Sequence, residues 1–139
     1  MKDSLQTGLD YRLEFVVPAT KTVPHLYPES EIFRGMPEVF ATGFMVGLFE
    51  WACVELMRPH LDDGEGSLGV HVDVSHEAAT PPGMTITVTA SLIEIDGRKL
   101  TFEIIADDGV DTIGRGRHQR MTVDWERFNA KVAEKAARI

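Results

Sequence analysis

Three side chains in this 139-residue chain sit where polar chemistry is expensive. Glu50 interrupts EVFATGFMVGLFEWACVELM, a stretch in which Thr42 is the only other polar side chain between Val39 and Val54. A carboxylate among apolar neighbours costs free energy unless it is hydrogen-bonded or paired, and desolvation raises its proton affinity. A surface position is the alternative, and Phe49, Trp51, Ala52 and Cys53 beside it argue against that. His76 shares one face of an alternating segment with Val70, Val72, Val74 and Ala78, so it should point inward. A histidine on an apolar face is often only a satisfied core residue. Here, however, the helix that this face should cover is the one carrying Glu50. A buried Glu and a buried His within reach of each other tune one another's proton affinity, as acid–base catalysis requires.

Thr42 is the third candidate, and its plain alternative is a helix cap. Eight residues of straight helix separate it from Glu50 by about 12 Å. Both cannot touch one small reacting group from one continuous helix. Either the helix starts late, or a second subunit supplies part of the site. A helix beginning at Thr42-Gly43 would offer free backbone N–H groups to an oxyanion.

A further polar run, Gly114-Arg115-Gly116-Arg117-His118-Gln119-Arg120, alternates glycine with arginine. Glycine in a strand marks close approach of a ligand or of another backbone. With Arg98, Lys99, Arg127 and Lys131, these arginines are the candidates for phosphate binding, or an ordinary solvated cationic face. The run lacks the strand–turn–helix context of a nucleotide fingerprint. No HExxH or close histidine pair appears, so no metal site is expected.

These residues need elements to position them. Residues 11–17 read as a first strand. Residues 18–37 are broken by Pro18, Pro24, Pro28 and Pro37, yet carry Val23, Leu26, Tyr27, Ile32, Phe33 and Met36, which suits a flap over a pocket or a packed connection. Residues 38–57 are apolar nearly all round and long enough for a buried helix. Residues 68–80, 84–95, 99–106 and 111–124 read as strands, with Asp96-Gly97 and Asp108-Gly109 as turns. A charged helix follows over 125–137. Strand, flap, long helix and a meander of four strands make one α+β domain over 1–139, a sheet curled round a central helix.

Composition excludes several classes. A net charge of −8 disfavours nucleic-acid binding, which needs basic surface. The single cysteine, Cys53, forbids an internal disulfide and reads as a buried thiol. A membrane-spanning helix would place Glu50 near the bilayer centre at roughly 2.5–3.5 kcal/mol. The N-terminus MKDSLQTGLDYRLEF has no apolar signal core, and a reducing cytoplasm fits.

The chain resembles the fluoroacetyl-CoA thioesterase family of hot-dog-fold proteins. The resemblance rests on KTVPHLYPES, FATGFMVGLFEWAC, GEGSLGVHVDVSHEAATPPG, DDGVDTIGRGRH and FNAKV, which together span nearly the whole chain. It implies a homodimeric enzyme that hydrolyses a short acyl-CoA, without metal or cofactor, CoA being part of the substrate. It implies catalytic roles for Thr42, Glu50 and His76, and substrate positioning by Gly69 and Arg120. It also implies a flap built from Val23, Leu26, Phe33 and Met36, the family pattern carrying phenylalanine where this chain has Met36. A hydratase or dehydratase of enoyl thioesters, and a non-catalytic acyl-CoA-binding module, are the rival expectations.

Overall fold

The computed structural model describes residues 1–139. Five strands form one antiparallel sheet: β1 (Asp10–Val16), β2 (Glu65–His76), β3 (Thr85–Asp96), β4 (Lys99–Asp107) and β5 (Thr112–Asp124), in the order β1-β3-β4-β5-β2. Three helices accompany them: a single turn α1 (Glu31–Arg34), the long α2 (Thr42–Met57) and the C-terminal α3 (Trp125–Ala136). The alternation that predicted β3 and β4 is realised. Ile86, Val88, Ala90 and Leu92 of β3, with Leu100, Phe102, Ile104 and Ala106 of β4, are buried on one face. Against them α2 lays Met45, Leu48, Phe49, Ala52, Cys53, Leu56 and Met57. Each buried Val, Leu, Ile, Phe or Met among them stabilises the fold by roughly 1.5–3 kcal/mol, so this core, and not the polar residues, holds the sheet curled round the helix. Gly97 takes the turn between β3 and β4 at φ +60°, as Asp-Gly predicted.

Three expectations need correcting. First, α2 starts at Thr42 and not at 38, because residues 39–41 are bonded into extended backbone. Val23 N–H donates to the Val39 carbonyl, Phe40 N–H to Thr80, and Ala41 N–H to Lys21. Second, α2 is buried on one side only, with Trp51 and Val54 exposed despite its all-round apolar character. Third, β2 runs from Glu65 to His76, so Ala78 lies beyond it, and Val70 and Val72 are exposed. β2 is an edge strand, and the apolar face read from its sequence extends past what α2 covers. No helix is long and apolar enough to cross a membrane.

The glycines of β5 serve a backbone. A Cβ on Gly114 would lie 2.6 Å from the Ser75 carbonyl oxygen, so the absence of a side chain there lets β2 pack closely.

Candidate active site

The sequence places His76 at the last position of β2 and Thr42 at the first turn of α2. Phe40 N–H on the Thr80 carbonyl ties the two segments together just beside them. The result is direct contact: Thr42 Oγ1 and His76 Nδ1 are 2.7 Å apart. The other ring nitrogen, Nε2, is buried and has no hydrogen-bond partner. A buried polar atom without a partner is costly and needs a reason. Burial pushes the His76 pKa down, outweighing the opposing pull of the Ala78 backbone, and so favours the neutral ring. A cleft of about 260 Å³ opens here, lined by Thr42, His76, Val23, Val39, Phe40 and Ala78 among others. The N–H groups of Thr42, Gly43 and Phe44 precede the first helical donor, the Met45 N–H on the Ala41 carbonyl, and so have no acceptor within the helix.

A buttress not legible in the sequence supports this end. Asp108, read only as a turn residue, is buried and accepts from Thr80 Oγ1 at 2.8 Å and from the Asp111 and Val110 amides. Burial alone would raise its pKa, but these donors outweigh burial and hold the carboxyl below its usual range. The Thr80 that it grips is the residue whose carbonyl fixes Phe40.

Glu50 lies elsewhere, and its side chain is 40% exposed, not buried as its apolar neighbours suggested, because α2 is covered on one side only. Because α2 is continuous from Thr42, Glu50 is two turns further along, about 12 Å away by helical rise. Its carboxylate pairs with Arg120 of β5, Nη1 to Oε1 at 3.1 Å, and no hydrogen bond joins it to His76. Arg120 is nearly fully buried and well satisfied. Its Nε donates to Ser67 Oγ (2.8 Å), Nη2 to the Ser67 carbonyl (3.0 Å), and Nη1 also to His118 Nε2 (3.1 Å). Gly69 faces Arg120 across the β2–β5 ladder, and a Cβ there would lie 2.7 Å from Glu50 Oε1. The absence of a side chain at Gly69 is what lets the carboxylate approach. Cys53, one turn beyond Glu50, is buried as expected, and burial pushes its thiol up to about 12, which removes it as a nucleophile.

The flap residues divide. Val23 lines the Thr42–His76 cleft, and Leu26 packs on Gly43, its Cδ1 3.0 Å from where a Cβ would stand. Phe33 instead pairs with Tyr27 at 5.9 Å between ring centres, and Met36 is exposed and does not line that cleft. Among the phosphate candidates, Arg115 pairs with Glu77 and Arg117 with Glu103 on the solvated side of β5. Arg98, Arg127 and Lys131 gather round a separate cleft floored by Met121, Val123 and Phe128.

Comparison with known proteins gives a consistent result. The family model described as fluoroacetyl-CoA-specific thioesterase matches residues 22–126. A protein from Streptantibioticus cattleyicolor named fluoroacetyl-CoA thioesterase is 58% identical over 135 residues, covering 97% of each chain. A solved structure of a fluoroacetyl-CoA thioesterase superposes with TM-score 0.94 at 57% identity, over 96% of this chain and 98% of that one. A thioesterase-superfamily member from Thermus thermophilus superposes with TM-score 0.86 at 27% identity, over 96% and 95%.

Proposed function

Since the chain belongs to the fluoroacetyl-CoA-specific thioesterase family and is a thioester hydrolase of hot-dog fold, we propose that it cleaves a short acyl-CoA, fluoroacetyl-CoA first among them, to the free acid and CoA in a site shared by two copies of the chain. One observation carries this reading above the others: His76 lines a cleft together with Thr42, which holds its Nδ1, while its buried Nε2 has no hydrogen-bond partner. If Nδ1–H donates to Thr42, Nε2 carries a lone pair and accepts a proton. If the hydroxyl donates, Nε2 carries the proton and gives it away. Thr42 serves both states because a hydroxyl both donates and accepts.

The carbonyl oxygen of the thioester sits against the free amides at the start of α2, which stabilise the charge that develops on it. Glu50 attacks the carbonyl carbon, the C–S bond breaks and water then cleaves the resulting anhydride to the free acid, or Glu50 takes a proton from a water that attacks directly and the C–S bond breaks from that adduct. The proton released by the water passes to the CoA thiolate, with His76 taking it up and handing it on. Glu50 is too far along its own helix to act beside its own His76, so a second copy supplies it. Two features support a homodimer: the unpaired edge of β2 with exposed Val70 and Val72, and the open apolar side of α2 with Trp51 and Val54. No cofactor is needed for this route, and a cytoplasmic location belongs to the same reading.

A panel of acetyl-, fluoroacetyl-, propionyl- and longer acyl-CoAs, scored by free thiol release, tests the proposal. Fluoroacetyl-CoA should give the highest kcat/KM. Equal rates for acetyl- and fluoroacetyl-CoA would remove the fluorinated substrate from the reading, and absence of thiol release from every member would remove hydrolysis.

A further inference from the structure

His118 lies outside the three residues on which the proposed mechanism turns, yet it is one of the most deeply buried polar side chains in the molecule, 1% exposed. It faces Phe102 on β4 and Val72 on β2 across the sheet, with Arg120 two residues along its own strand. Its hydrogen bonds fix its state. Nδ1 lies 2.8 Å from the His71 carbonyl oxygen, which can only accept, so Nδ1 must carry the proton. Nε2 lies 3.1 Å from Arg120 Nη1, which can only donate, so Nε2 must carry a lone pair. The ring is therefore neutral and locked in one tautomer. Burial pushes its pKa down, in keeping with that state. His71 directly follows a bulge, since the β2–β5 register slips between Gly69 and His71.

Arg120 Nη1 has two N–H groups, and both are used: one on His118 Nε2, the other on Glu50 Oε1. Ser67 takes the Nε hydrogen and one of the two on Nη2. We propose that His118 is a positioning residue: by accepting one Nη1 hydrogen it aims the other at Glu50, and so fixes the carboxylate for its part in thioester cleavage. The inference rests on the reading that Glu50 takes part in hydrolysis. It assigns His118 no contact with substrate.

Two variants of the full-length protein separate positioning from packing. His118→Gln keeps an acceptor where Nε2 stood, and His118→Leu keeps bulk without one. In steady-state thiol release from the best acyl-CoA of the panel, His118→Leu should lower kcat at least about 10-fold with KM changed less than about 3-fold, since misplacing a catalytic group acts on the chemical step. His118→Gln should recover most of kcat. Wild-type kcat in His118→Leu, or equal losses in both variants, would overturn the proposal. Glu50→Gln, run alongside, separates the two readings. If it keeps wild-type kcat, the role given to Glu50 fails. If it is inactive while His118→Leu is not, only the inference about His118 fails. Should His118→Leu not fold, imidazole nitrogen NMR of the wild-type protein decides. A ring protonated at Nδ1 alone at neutral pH supports the proposal, and an Nε2-protonated or doubly protonated ring overturns it.

Discussion

At one end of α2, His76 has one nitrogen bonded to Thr42 and the other buried without a hydrogen-bond partner. Two turns further along, Arg120 is buried with each of its three nitrogens bonded, to Glu50, His118 and Ser67. The first cluster leaves a buried nitrogen without a partner, and the second leaves none. An unpartnered nitrogen on a residue that lines a cleft suits a group that must take up a proton. A closed network suits a charge that must stay in place. Substitutions should therefore separate the two ends: changes at His76 should cost activity and little stability, and changes at Arg120 should cost both.

The largest effect is expected at the open end. His76→Ala should reduce kcat by about 10²–10⁴-fold, the usual worth of a general acid–base group, while the melting temperature stays near wild type. A large drop in melting temperature would mean that His76 is structural. At the closed end, Gly69→Ala pushes a methyl into the space Glu50 Oε1 occupies, and should lower kcat by up to about 100-fold through displacement of the carboxylate. Arg120→Met should also lower kcat, and in addition destabilise the fold by roughly 1–3 kcal/mol in urea unfolding, for the hydrogen bonds it abandons. Stability lost without activity would break the link drawn between Arg120 and Glu50.

Both histidines give the comparison a pH dependence. Burial lowers the pKa of His76 and of His118, so the unfolded chain binds more protons than the native one below the ordinary histidine value. Stability should be fully present above about pH 6.5 and fall as pH drops through the lowered native values. Activity should fall over the same acidic range as His76 is protonated. Melting curves flat from pH 7 to pH 5 would contradict the assignment. The smallest effect is expected at the buttress: Asp108→Asn should cost roughly 1–3 kcal/mol in stability and leave KM nearly unchanged.

The sequence showed part of this arrangement and concealed the rest for physical reasons. Glu50 and His76 were visible because each breaks an apolar pattern whose period is known. The strand faces of β3 and β4 followed from clean alternation. The start of α2 did not, since it depends on backbone bonds from Val23, Phe40 and Ala41 that only the folded chain brings together. Val70 and Val72 looked buried because alternation reports which side a residue takes, and does not report whether anything covers that side. His118 and Arg120 were seen to share a strand segment. The bulge that brings the His71 carbonyl to the ring leaves no mark on the residue pattern. Ser67 and Asp108 carried no signal beyond those of an ordinary strand and turn.

Mixing two inactive variants tests the shared site most directly. Glu50→Gln and His76→Ala proteins are each expected to lack thiol release. When they are unfolded together and refolded as mixed dimers, every heterodimer would hold one site with both residues intact and one with neither. Activity should then return to about a quarter of wild type, by the statistics of a two-fold dimer. No recovery, with mixed dimers demonstrated by native mass spectrometry, would show that Glu50 and His76 act from the same chain and would contradict the site proposed here.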